Sequence, residues 1–177
     1  MKATGIVRRI DDLGRVVIPK EIRRTMRIRE GDPLEIYTDR EGEVIFKKYS
    51  PMGELALFSE HYAEAIYKSE NLPIVICDRD EIIACAGMSK RDYIGKRLPD
   101  EVDFLTNQRS IYARSSKDEE PLFIDSGWLI NCFAPIITEG DVVGGVMAVS
   151  QSDECTSDKI VSLVRTSAAF LSRIIEN

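Results

Sequence analysis

Charge changes sign near residue 50. Residues 1–50 carry 12 Lys and Arg against 9 Asp and Glu, whereas residues 51–177 carry 12 against 21. The first 29 residues alone hold nine basic groups (Lys2, Arg8, Arg9, Arg15, Lys20, Arg23, Arg24, Arg27 and Arg29) and three acidic ones. Asymmetry of this kind points to a polyanion partner for one end of the chain, the plainer reading being a solvated face that keeps a small module soluble. At 177 residues and 20.0 kDa the chain suits one ordinary domain or two small ones. The charge change favours two, residues 1–50 and 51–177.

Several classes are excluded early. No apolar run reaches the roughly 18 residues of a membrane helix, and MKATGIVRRIDD has no apolar signal core, so the expected setting is cytoplasmic. Cys77, Cys85, Cys132 and Cys155 show neither CxxC spacing nor the density of a disulfide scaffold, which suits a reducing compartment without a structural zinc site. His61 is the sole histidine and is expected on an exposed helix face without catalytic partners. No phosphate-loop, dinucleotide or hydrolase motif occurs, and Gly144-Gly145 reads as close packing or a bulge within a strand, so an enzyme is not expected.

In the first module, residues 3–10 and 15–18 read as strands about an Asp11–Gly14 turn. Pro19 opens a short helix to about Arg27, and Gly31-Asp32-Pro33 ends it. Leu34-Glu35-Ile36 and Val44-Ile45-Phe46 then form a hairpin through Asp39–Gly42. At 3.6 residues per turn, Lys20, Arg23, Arg24 and Arg27 make one basic stripe, with Ile22 and Met26 opposite. Crowded cations repel one another, a cost that makes sense where phosphates lie opposite. Fifty residues without disulfide or metal rarely bury enough apolar surface to fold alone; a two-fold dimer supplies the missing core and matches the symmetry of a DNA duplex.

The run TGIVRRIDDLGRVVIPKEIRRTMRIREGDPLEIYTDREGEVIFKKY, with its D-x-L-G-R-V-V-I-P core, resembles the AbrB-type swapped-hairpin DNA-binding domain of bacterial transition-state and sporulation regulators. That resemblance implies two chains interleaving their hairpins into one barrel. It also implies DNA contacts from Arg8, Arg9, Arg15, Arg23 and Arg24; Lys20 and Arg27 rest on the stripe alone.

Ser50 and Pro51 mark the joint, as cap and first residue of a near-rigid connector helix to about Ser69 with Leu55, Phe58, Tyr62, Ala65 and Ile66 on one face. Strands follow at 74–77 and 81–85, then a mixed helical region to about Arg114, strands at 122–125, 128–137 and 142–150, and a last helix from about Glu154 to Ile175. In that helix Ile160, Leu163, Val164, Ala168, Leu171, Ile174 and Ile175 share a face that Ser167 interrupts, with Arg165 and Arg173 opposite. A turn at 78–81 pairs Cys77 with Ile82 and Cys85 with Ile74, which puts the two thiols about 10 Å apart along the strand, too far for a disulfide.

This order resembles a GAF-type sensor domain, and the whole chain is similar to a family of sporulation transcription factors that join the two modules. The implied fold class is α+β, a dimeric N-terminal barrel followed by an antiparallel sheet flanked by helices. The implied function is activation and repression of late, forespore-stage genes on double-stranded DNA at the nucleoid, by a homodimer that pairs into a homotetramer through the GAF-like helices. A GAF fold holds its ligand between sheet and helical insert, which makes Cys77, Trp128, Cys132 and Phe133 the candidate lining of a small-molecule pocket; plain core is the commoner use of the same residues. No other cofactor is expected. The alternative is a protein-binding module, because the same barrel serves as an antitoxin scaffold, although the folded C-terminal 127 residues speak against it.

Overall fold

The computed structural model describes residues 5–125 and 127–176. Lys2 and the start of the expected first strand, Ala3 and Thr4, lie outside the described residues. The chain forms two units that divide between Tyr49 and Ser50.

The first unit is built from local hydrogen bonds. At the Asp11–Arg15 turn, Asp11 N–H donates to Arg15 O and Gly14 N–H to Asp11 O, each at 3.0 Å. Asp11 Oδ1 accepts from the N–H groups of Leu13 (3.1 Å) and Arg15 (2.7 Å), and Gly14 supplies the positive φ of +77° that closes the turn. The flanking segments 5–10 and 15–18 form no strand, against expectation. A strand exists only as half of a regular hydrogen-bonded ladder, and among the described residues these two segments build no such ladder with each other. Helix α1 spans Lys20–Thr25 behind Pro19. It stops short of Arg27, which takes the left-handed conformation at φ +49°.

Strands β1 (Leu34–Thr38) and β2 (Val44–Lys48) pair antiparallel from Leu34 opposite Lys48 to Thr38 opposite Val44. Asp39 Oδ1 closes their loop by accepting from Glu41 and Glu43 N–H. Lys48 ties the hairpin to the helix exit, donating to Arg27 O at 3.0 Å and pairing with Asp32 at 3.2 Å.

In the second unit Ser50 caps helix α2 (Pro51–Glu54) by accepting from Gly53 N–H at 3.1 Å. The expected continuous connector breaks at Leu55 (φ −92°, ψ 12°), and α3 (Ala56–Glu70) follows. The buried stripe of α3 is Ser59, Ala63 and Ile66, so Ala65 faces solvent and Phe58 is only partly covered. Next come β3 (Ile74–Asp78), β4 (Ile82–Ala86), α4 (Lys90–Tyr93) and α5 (Asp100–Gln108). Strands β5 (Tyr112–Ala113), β6 (Phe123–Asp125), β7 (Trp128–Thr138) and β8 (Asp141–Ser150) precede helix α6 (Asp158–Ile175). The expected helical region thus ends at Gln108, and residues 112–113 join the sheet.

The sheet runs β4-β3-β8-β7-β5, all antiparallel, with β6 also on β7. One face packs Ile74, Ile76, Ala134 and Val146 against Met52, Ala63, Ile66, Val164 and Leu171 of α2, α3 and α6. The other packs Val75, Cys77, Phe133 and Met147 against Leu98, Val102 and Leu105 of the insert. Ser167 does not interrupt the α6 face: it is fully buried and satisfied by Tyr62 Oη at 3.2 Å. Glycines set the strand spacing at one crossing, where a side chain on Gly144 would collide with Cys77 O and one on Gly145 with the Phe133 ring.

A bulge between Ile76 and Cys77 shifts the hairpin register. Cys77 faces Ile82 as expected, but Cys85 faces Val75 rather than Ile74. One residue slipped into β4 accounts for the difference. Both thiols remain free.

Candidate nucleic-acid interface

Arg8 and Arg9 lead into the Asp11–Arg15 turn, and Lys20, Arg23 and Arg24 project from α1; all five are exposed. Three charged groups at i, i+3 and i+4 share one helix face. Arg27 does not join them, because the helix has ended and its backbone has reversed into the left-handed region. It is also partly covered. The stripe therefore contains Lys20, Arg23 and Arg24, and Arg27 is corrected out of it.

Arg15 is held rather than loose. Its Nε donates to Asp11 Oδ2 at 2.8 Å while its own N–H bonds Asp11 Oδ1, so the carboxylate grips both backbone and side chain. The Arg15 N–H and then its guanidinium lower the Asp11 pKa below the ordinary carboxylate range. Engaging Nε aims the guanidinium and leaves its terminal nitrogens as a fork, the geometry suited to a phosphate or a guanine edge. Asp11 was not among the sequence candidates. Its signal was present as an Asx-type turn, a carboxylate followed by a glycine at the third position and an arginine at the fourth.

The same unit carries a second surface. Val7, Ile10, Leu13, Val16, Val17, Met26, Ile36, Val44 and Phe46 are all exposed, and α1 buries none of its residues. The expected apolar underside of the helix is thus only partly realised within one chain: Ile22 is half-covered and Met26 is open.

The candidate pocket residues of the second unit do not converge. Cys77 and Phe133 lie in the core under the insert, each essentially fully buried. Cys132 sits on the opposite face of the sheet, against the α2, α3 and α6 layer. The bulge in β7 between Ile130 and Cys132 resets its alternation there. Trp128 is only half-buried, at the edge of the insert core. Burial raises the thiol pKa of Cys77, and raises those of Cys85 and Cys132 to about 11, so all three are protonated at neutral pH. At the rim of the insert, Asp125 accepts from Tyr93 Oη at 2.6 Å and Lys96 Nζ at 2.9 Å; the tyrosine bond is the main cause of its pKa of about 2. Among the described residues no helix is long and apolar enough to cross a membrane, and no cluster of metal-ligating side chains occurs.

A basic, coreless N-terminal unit followed by a six-stranded sheet between helical layers is the build of a two-module bacterial regulator. Comparison with known proteins bears this out. The profile described as "Stage V sporulation protein T C-terminal, transcription factor" matches residues 54–176, and that of "Antidote-toxin recognition MazE, bacterial antitoxin" matches residues 7–53. Stage V sporulation protein T of Bacillus subtilis (strain 168) is 50% identical over 178 residues, 99% of both chains. Transition state regulatory protein AbrB of the same organism is 65% identical over 51 residues, 29% of this chain and 52% of its own. The GAF domain of an Acinetobacter phosphoenolpyruvate-protein phosphotransferase superposes with a TM-score of 0.52 at 15% identity, covering 73% of this chain and 84% of that one, a likeness of fold alone. The chain belongs to the stage V sporulation protein T family of transcription factors.

Proposed function

We propose that the chain acts as a homodimer through its N-terminal unit and binds double-stranded DNA through Arg8, Arg9, Arg15, Lys20, Arg23 and Arg24. The carrying observation is that these cations stand exposed on a unit whose apolar side chains find no cover within one chain. A second copy supplies the missing core, and its two-fold axis repeats the basic surface at a spacing that a duplex can match. Phosphate contacts supply most of the affinity, and the Arg15 fork is the best-oriented group for a base edge. The AbrB-like segment supports this reading, as does the transcription-factor description of the family.

In the second unit, Phe58, Tyr62 and Phe170 form an aromatic cluster with centroid separations of 5.3 to 6.2 Å at the α3–α6 surface. Phe58 and Phe170 remain partly exposed, as does neighbouring Leu57 on α3. This surface is the proposed pairing face that converts dimers into a homotetramer. The protein then regulates late sporulation genes in the forespore cytoplasm, activating or repressing according to promoter geometry, without catalysis.

Arg24→Ala and Arg15→Ala in the full chain are each expected to weaken DNA binding while leaving the oligomer and thermal midpoint intact, as read by mobility shift and calorimetry on a sporulation-promoter fragment and on random duplex. Unchanged affinity in both would refute the assignment. The match of residues 7–53 to an antitoxin profile favours a second reading, a protein-binding module. Absence of DNA binding even at low salt is the result that selects it.

A further inference from the structure

Arg15 differs from the other cations proposed to face DNA. Its Nε donates to Asp11 Oδ2 at 2.8 Å, and Asp11 Oδ1 is itself held by the N–H groups of Leu13 at 3.1 Å and Arg15 at 2.7 Å. The guanidinium is thereby tied, through the carboxylate, to the backbone of its own turn. It stays open to a ligand, with 69% of the Arg15 side chain exposed against 34% for Asp11. Among the described residues no carboxylate holds Arg8, Arg9, Lys20, Arg23 or Arg24. Building on the DNA-binding reading above, we propose that Asp11 is a positioning residue that sets sequence specificity: it commits Arg15 to the N7 and O6 edge of a guanine in the major groove and leaves the phosphates to the other cations.

Charge balance speaks against a phosphate as the partner of Arg15. An arginine paired with a carboxylate is close to neutral as a unit, so it attracts the DNA backbone weakly and releases few counterions. The Asp11 carboxylate would also stand near that phosphate and repel it. For affinity alone an asparagine would serve the turn better, because an amide oxygen accepts the same backbone N–H groups without the charge. What the carboxylate adds is a second oxygen, and that oxygen occupies Nε.

Geometry favours guanine. With Nε engaged, the terminal nitrogens of Arg15 remain as a planar pair of donors. Guanine presents two acceptors side by side in the major groove, N7 and O6, and no other base does. A phosphate accepts a fork as well, but cations without a carboxylate tether meet it equally well and can adjust to a backbone of any sequence. Holding the fork in place before binding also removes the side-chain ordering cost that a free arginine meets at a base edge.

Asp11→Asn separates the two roles of the carboxylate, since the amide keeps an acceptor for the turn and offers none to Arg15 Nε. In the full chain it is expected to leave the oligomer and thermal midpoint unchanged, and to lower the ratio of affinities for a sporulation-promoter fragment and for random duplex roughly tenfold or more. Asp12→Asn removes the same charge from a carboxylate that makes no bond to Arg15 among the described residues, and the ratio should hold. Should Asp11→Asn fail to fold, the wild-type chain and Arg15→Ala are compared on the same promoter fragment built with 7-deazaguanine, which lacks the N7 acceptor. The wild type is expected to lose roughly tenfold in affinity on that replacement and Arg15→Ala to lose little. A wild type that does not discriminate the two duplexes, an unchanged ratio in Asp11→Asn, an equal fall in Asp12→Asn, a wild type indifferent to 7-deazaguanine, or an equal loss in Arg15→Ala overturns the proposal. Each of these leaves DNA binding itself standing, whereas no binding to either duplex at low salt removes the regulator reading and the proposal together.

Discussion

Val7 stands 90% exposed in the first unit, whereas Val75 on a central strand of the second is completely covered. The contrast extends to every position: among the described residues none from 5 to 49 is buried, and all buried side chains lie in residues 50–176. The second unit has a sheet with two faces and a helical layer for each, so it closes two cores by itself. Among the described residues the first has one hairpin and one six-residue helix joined by turns, too few layers to enclose anything. Its side chains are no less apolar; they lack the second layer that turns apolar area into stability. Charge follows the same division, with the basic groups concentrated on the unit that is completed only by assembly.

The largest expected effect on this contrast is electrostatic. If a dimer neutralises about six to ten phosphates, DNA affinity falls by roughly three to five decades between 50 and 200 mM salt. The thermal midpoint of the acidic second unit should move little over the same range, and a flat binding response would remove the basic unit's role. Next comes the closed core: Phe133→Ala, which empties the space over Gly145, should cost about 3 to 5 kcal/mol by denaturant unfolding of the second unit. Val7→Asp tests the open core directly. On an isolated chain a substitution at so exposed a position changes stability by about 0.5 kcal/mol at most. Beneath a second chain it should shift the dimer equilibrium by at least tenfold, about 1.4 kcal/mol, in sedimentation equilibrium.

The smallest effect concerns the seam between insert and sheet. Because the folded-state pKa of Asp125 lies near 2, below the ordinary value of 3.8, its contribution is full above about pH 4 and is lost as pH falls toward 2. Asp125→Asn should flatten the stability of the second unit over that window, and an unchanged acid limb would show that Tyr93 and Lys96 hold nothing there.

Much of this was legible in the sequence because short-range chemistry decided it. The Asp11–Gly14 and Asp39–Gly42 turns, the Ser50 cap, the β-branched strands of the second unit and the α6 stripe depend on neighbours within a few residues. Placement was lost wherever one residue altered a phase. The bulge at Ile76/Cys77 moved the partner of Cys85, that at Ile130/Cys132 set Cys132 on the face opposite the insert core, and the early end of α1 took Arg27 off its stripe. Bulges and helix ends of this kind arise from packing against distant elements, which leave no periodic trace in the chain.

The sequence by itself determined the α+β class, the two-module order, the basic N-terminal surface and the family, since all are carried by local pattern and charge. Tertiary structure decided which cations share a face, that Asp11 orients Arg15, and that the space beneath the insert is filled. It alone brought residues 67, 131 and 154 around one cleft, because closeness between them exists only once helix, strand and loop have packed together.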